Sequence, residues 1–169
     1  FPLKADNFLT NTTNNHGMVG LINMPTARIY DEGSFAFSAY GGNPDQKITL
    51  ASSPFDWLEA SVFYTNIKDK PYCEAGDYFC SQDYKDKGFN LKIKIKEEDR
   101  LPAIAIGIND FGGTGLYGSE YIVGSYGIEN MDFHFGLGWG AYNGTKDFRN
   151  PFTLIDDQFK ESPLFSQGE

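Results

Sequence analysis

Along most of this chain, apolar and polar residues alternate. Residues 131–142 read M-D-F-H-F-G-L-G-W-G-A-Y, which places Met131, Phe133, Phe135, Leu137, Trp139 and Ala141 on one side and Asp132, His134, Gly136, Gly138 and Gly140 on the other. Successive side chains on a strand point to opposite faces, so this pattern predicts a strand with an apolar wall backed by a small, polar face. Residues 90–96 are N-L-K-I-K-I-K, with Leu91, Ile93 and Ile95 opposed to Lys92, Lys94 and Lys96. A buried, unpaired ammonium costs several kcal/mol, so the lysines are expected to face water. That excludes a parallel strand buried on both faces.

The same period-two pattern predicts five more strands. Residues 34–40 carry Phe35, Phe37 and Ala39 on one face, and residues 47–51 alternate again. In residues 58–65, Leu58, Ala60, Val62 and Tyr64 oppose Glu59, Ser61 and Phe63. In residues 103–109, Ile104, Ile106 and Ile108 point outward from Ala103, Ala105 and Gly107. Residues 120–127 group Tyr121, Val123 and Ser125. No helical periodicity of comparable strength occurs. Residues 1–17, polar and Asn/Thr-rich, read as a mobile leader, and 18–24 as a short apolar run ended by Pro25. Residues 66–88 read as a long, charged, Cys-bearing loop. Residues 143–169 read as an external stretch without alternation.

From the strand at 34–40 onward, the connections run medium, short, very long, short, long, very short and long. The short ones fall on one side of the sheet and the long ones on the other, as in outer-membrane barrels with tight periplasmic turns and long external loops. The expected fold is therefore all-β: an antiparallel up-and-down (meander) outer-membrane β-barrel, or the first seven to eight strands of a larger one. Residues 1–33 form a periplasmic leader or plug-like segment, 34–142 the transmembrane meander, and 143–169 an external loop leading to further strands. Seven strands break the even number usual for bacterial barrels. Either 18–24 supplies an eighth, or the barrel is longer; the second reading is favoured.

Composition agrees. Aromatic residues make up 16% of the chain and glycine contributes 19 residues, a mix suited to twisted antiparallel strands with aromatic girdles. The net charge of −9 leaves no basic stripe for nucleic acid. No run of eighteen apolar residues predicts a transmembrane helix. Leu91, Ile93, Ile95, Ile104, Ile106, Ile108, Phe133, Phe135, Leu137 and Trp139 are the expected lipid-facing set, with Trp139 near the external interface.

Candidate chemistry is sparse. Cys73 and Cys80 would close a small disulfide loop in an oxidising compartment; free thiols are the alternative, and zinc would need more ligands. His134, on the polar face, could be a general base with a Ser or Asp on a neighbouring strand, but reads better as a lumen-lining group. His16, in the leader, is expected to be idle. Asp110-Phe111-Gly112 and Gly112-Gly113-Thr114-Gly115 lack the context of nucleotide-binding motifs. The carboxylates at 97–99 and 156–157 sit adjacent in turns rather than facing each other across a sugar. The Lys92, Lys94 and Lys96 row could guide an anionic polymer, or solvate the lumen and pair with Glu59 and other inward carboxylates. Lumen- or ligand-facing candidates are thus Lys92, Lys94, Lys96, His134, Asp132 and Glu59. No catalytic residue, metal or cofactor is assigned.

Several motifs carry a family likeness. Residues 20–28 (G-L-I-N-M-P-T-A-R), 58–65 (L-E-A-S-V-F-Y-T), 110–117 (D-F-G-G-T-G-L-Y) with Ser119-Glu120-Tyr121, 136–140 (G-L-G-W-G) and 150–152 (N-P-F) together resemble the YjbH/GfcD-type outer-membrane proteins linked to exopolysaccharide and group 4 capsule production. The likeness runs from about residue 17 to about residue 152. The Cys-bearing loop and the Asn-rich leader depart from it. The family is longer than this chain, which supports the longer-barrel reading. The resemblance implies a non-catalytic outer-membrane barrel assisting polysaccharide export. Its expected partners are the outer-membrane bilayer, an anionic polysaccharide, and periplasmic or lipoprotein components of a secretion system. The alternatives are an outer-membrane barrel enzyme acting on lipid or glycan, and a soluble secreted barrel that binds a ligand.

Overall fold

The computed structural model describes residues 12–72, 82–142, 149–155 and 159. A small hairpin comes first, β1 (Gly20–Leu21) paired with β2 (Met24–Pro25). Seven long strands follow: β3 (Ser34–Gly41), β4 (Asp45–Phe55), β5 (Leu58–Pro71), β6 (Asp83–Lys96), β7 (Ala103–Phe111), β8 (Ser119–Ile128) and β9 (Met131–Gly138). Each is antiparallel to its neighbour in sequence, in the order β3-β4-β5-β6-β7-β8-β9. The meander curls into a half-barrel and the fold is all-β. Short 3-10 turns span Gly140–Tyr142 and Pro151–Leu154. Among the described residues no helix is long and apolar enough to cross a membrane.

Period-two alternation positions everything that follows. The convex face is apolar and exposed: Phe35, Phe37, Ile95 and Leu137 keep 76%, 72%, 60% and 64% of their surface accessible. Cross-strand register links this face into ribbons, Leu58 to Ile93 to Ile106 to Ile122 to Leu137, and Phe37 to Leu50 to Val62 to Phe89 to Phe111. The concave face is largely polar and buried, with Thr49, Ser53, Glu59, Ser61, Thr65, Asp86, Asn90, Lys92, Asn109, Ser119 and Ser125 all enclosed. A water-soluble sheet is built the other way round. The buried apolar cluster is small: Ala27, Ala103, Ala105, Tyr121 and Val123, with Tyr142 against it. Gly107 makes room for it, since a Cβ there would come within 2.2 Å of the Tyr121 ring.

Several expectations need correction. Strands β5 and β6 run to Pro71 and from Asp83, through most of the stretch read as a loop at 66–88. Charge masked the alternation there: Lys68, Lys85 and Lys87 face outward while Asp86 faces in. Cys73 and Cys80 lie outside the described residues. The connections 56–57, 97–102 and 129–130 share one end, and 42–44, 72–82 and 112–118 the other, so the contrast in loop length is weaker than expected at 42–44. Residues 18–24 do not add an eighth strand to the wall; their hairpin is a separate sheet. Residues 12–17, expected to be loose, are packed: the Asn14 side chain accepts from the backbone N–H groups of His16 (2.9 Å) and Met18 (3.1 Å).

Candidate functional site

Residues 12–30 fill the hollow of the half-barrel, and the wall holds them chiefly by their backbone. Glu59 on β5 and Lys92 on β6 are register partners and form an ion pair at 2.6 Å, with neither side chain exposed. Both also grip Val19: its N–H donates to Glu59 Oε1 at 2.7 Å, and Lys92 Nζ donates to its carbonyl at 2.8 Å. Lys92 therefore does not face water as expected. A buried ammonium is tolerated when a carboxylate and a carbonyl satisfy it. Beside it, Asn90 Nδ2 donates to Ser61 Oγ (2.8 Å) and to the His16 carbonyl (3.2 Å), while its Oδ1 accepts from the Asp110 N–H (3.0 Å). At the far side, the Ala27 N–H donates to Ser125 Oγ at 2.9 Å.

The base of the segment is tied by charge. Arg28 donates to both oxygens of Asp132 (2.9 and 2.7 Å) and pairs with Glu98, whose other oxygen accepts from the Gly127 N–H at 3.2 Å. One guanidinium thus joins the 97–102 connection to the start of β9. The remaining two lysines of the row are paired as well: Lys94 with Glu97 at 2.5 Å and Lys96 with Asp99 at 2.8 Å. The Lys96 ammonium beside Asp99 holds that carboxyl below its ordinary range. The row is therefore a set of ion pairs rather than a strip of free cations.

His134 contacts Ser125 Oγ through Nδ1 at 2.8 Å, and its Nε2 lies 3.6 Å from Asp132. The residue types match a hydrolytic triad, but the geometry serves docking. Ser125 has no exposed surface and its Oγ already receives the Ala27 N–H. Both Asp132 oxygens are engaged by Arg28, and 3.6 Å exceeds hydrogen-bond length. His16 is not idle. Burial, reinforced by the Lys47 cation, lowers its pKa to about 3, so it sits in the hollow as a neutral ring, edge-on to Tyr142.

At the opposite end, the buried Lys47 ammonium rests 4.3 Å from the Tyr117 ring centroid and 4.7 Å from that of Phe63. The 112–118 connection is pinned above it. Thr114 Oγ1 donates to Asp86 Oδ1 and the Tyr117 N–H to Asp110 Oδ2, each at 2.7 Å. Among the described residues, no group of three His, Cys, Asp or Glu is placed to hold a metal ion. An apolar cavity of about 520 Å³ lies between the β1–β2 hairpin and β9, lined by Leu21, Ile22, Met24, Tyr121, Val123, Leu137 and Tyr142 among others.

Of the expected lipid-facing set, Ile95, Ile104, Phe133, Phe135 and Leu137 are exposed, and Leu91, Ile93, Ile106 and Ile108 lie on the same convex face, partly covered by their neighbours. Trp139 is a correction: only 6% of it is exposed. The strand ends at Gly138. The Trp139 N–H then donates to the Glu120 carbonyl (2.8 Å), and the chain turns over at Gly140 (φ +65°), bringing the indole edge-on to Phe152 at 6.2 Å. Sequence reasoning missed Ser125, Asn90 and Arg28 as anchors. For Ser125 and Asn90 the available signal was a polar residue on the inward face of a strand; Arg28 lies between β2 and β3, outside any strand.

This geometry defines a class: a curled antiparallel wall, apolar outside and polar inside, with an N-terminal segment seated in its hollow. The chain belongs to the YjbH family, whose model, described as "Exopolysaccharide biosynthesis protein YbjH", matches residues 12–169. It is 38% identical over 145 residues, 85% of its length, to the "Uncharacterized lipoprotein YjbH" of Escherichia coli (strain K12). The chain spans about a fifth (21%) of that relative. No solved structure matches it.

Proposed function

We propose that this chain forms the opening wall of an outer-membrane β-barrel that assists export or assembly of an exopolysaccharide without breaking bonds. The observation that carries this reading is the inverted sheet, whose convex face of Phe, Leu, Ile and Val lies exposed while the charged and hydroxylic side chains are enclosed. Exposed apolar area on this scale needs lipid or a partner to cover it. Closure into a barrel satisfies the backbone of a sheet in hydrocarbon. Aromatic residues add support at both ends of the apolar band. Phe55 stacks on Trp57 at the 56–57 turn (5.4 Å), and Phe89 meets Phe111 (5.8 Å) toward the other end; barrels place such girdles at the two interfaces. The family description supports the polysaccharide role, and the name of the E. coli relative, a lipoprotein, supports a cell-envelope location. The greater length of that relative supplies the chain for the remaining strands. The bilayer, an anionic polysaccharide and envelope proteins of a secretion system are the partners of this reading.

The test is membrane partition of the full-length protein. It is expected to stay in the membrane pellet through an alkaline carbonate wash and to require detergent for extraction. A soluble, monodisperse protein in plain buffer overturns the reading. A second reading, a barrel hydrolase, has the 2.8 Å contact between Ser125 and His134 in its favour. A His134→Ala variant that abolishes polymer output at unchanged protein abundance would support it over the conduit.

A further inference from the structure

We propose that residues 12–30 are a releasable gate in the lumen, latched at the backbone of Val19 by the Glu59–Lys92 pair and tethered at its base by Arg28. The inference rests on the barrel reading above and adds its regulation.

Three features separate this segment from a permanent core. First, its fixing bonds run from wall side chains to its own backbone: Glu59 and Lys92 to Val19, Asn90 to the His16 carbonyl, Ser125 to the Ala27 N–H. Water can replace each of these bonds. The enclosed apolar side chains of the segment are few, Met18, Val19, Pro25 and Ala27, and Ala27, which packs on the Ala103, Tyr121 and Val123 cluster, lies at the tethered base. Second, release leaves no orphan charge. Glu59 and Lys92 face each other in strand register, so the pair persists at 2.6 Å and exchanges a peptide for water. Burying one charge alone would have made the two states very unequal. Third, the seat depends on close approach at Gly17. Its φ is +77°, and a Cβ there would lie 2.4 Å from Thr49 Cβ, so a single methyl lifts the segment without touching the latch. Arg28, held by Asp132 and Glu98 at the short-turn end, keeps the base attached while the part around Val19 leaves.

The experiment uses full-length protein reconstituted in lipid bilayers, with potassium chloride current as the probe. Hydrogen–deuterium exchange of peptides covering residues 12–30 is measured on the same preparations. Gly17→Ala acts from the segment, and Glu59→Gln acts from the wall if Gly17→Ala fails to insert. The expected result is severalfold faster exchange in 12–30 together with a severalfold larger current, while exchange in β4–β8 stays slow. Faster exchange at unchanged current shows that the segment is no barrier and overturns the gate. Unchanged exchange in both variants overturns the latch. Failure of the wild-type protein to insert refutes the barrel reading itself and the gate with it, a result distinct from the other two.

Discussion

Glu59 and Lys92 meet at 2.6 Å with no exposed side-chain surface, and each also bonds the peptide of Val19. Two opposite charges from adjacent strands are thus satisfied by one another and by a third piece of chain forty residues and more away. Removing one partner strands the other in a low-dielectric setting, which costs about 3–5 kcal/mol. Lys92→Met and Glu59→Gln are each expected to lose about that much. The double variant should lose clearly less than the sum of the two. Urea unfolding of the four proteins in lipid checks this cycle, and additivity would mean that the pair is not coupled.

His16 is expected to make folding stability pH-dependent. Its pKa in the folded protein is about 3, lowered first by burial and then by Lys47, against about 6.5 in the unfolded chain. Between those values the unfolded state binds a proton that the folded state refuses. Stability is therefore full above about pH 6.5 and falls as the pH drops, by at most about 1.4 kcal/mol per unit. His16→Gln is expected to flatten this slope between pH 6 and pH 4, read as the unfolding free energy of wild type minus variant.

Trp139 and Leu137 should respond in opposite ways to the surroundings. Trp139 is enclosed against Phe152, so Trp139→Ala is expected to cost about 3–5 kcal/mol whatever the amphiphile. Leu137, 64% exposed on the convex face, should tolerate Ala. Leu137→Arg should impair folding into bilayers by about 2–4 kcal/mol if the residue lies near the midplane, with a smaller effect in short-chain detergent. Equal effects in both media would mean that this face does not meet lipid.

Ser125 anchors the Ala27 N–H. Ser125→Ala leaves that donor unsatisfied, at a cost of about 1–3 kcal/mol. His134→Ala, in contact with the same hydroxyl, is expected to leave exopolysaccharide output unchanged at equal protein abundance. Polymer assays on cells carrying each variant provide the check.

Much of the wall was legible from the sequence, and the reasons are local. In β7, Ile104, Ile106 and Ile108 were expected opposite Ala103, Ala105 and Gly107, and the structure has them so. Each side chain's face depends only on its place in a period of two. The ends of β5 and β6 were lost because charged residues continue the alternation past the apolar band, where hydrophobicity no longer marks it. Trp139 was misplaced because parity holds only while the chain stays extended, and the strand ends at Gly138, one residue before it.

Alternation along the chain by itself determined that these strands have two unlike faces and follow one another as a meander. Only the tertiary structure decided what fills the enclosed, polar side and how its charges are paired. Curvature turns the lysine and glutamate side inward, and a segment from outside the sheet fills the hollow. Apart from the Arg28 ion pairs, the bonds that hold it run from wall side chains to backbone N–H and C=O groups, which nearly every residue possesses. No residue type in the segment announces them, and the partners lie up to 98 residues apart.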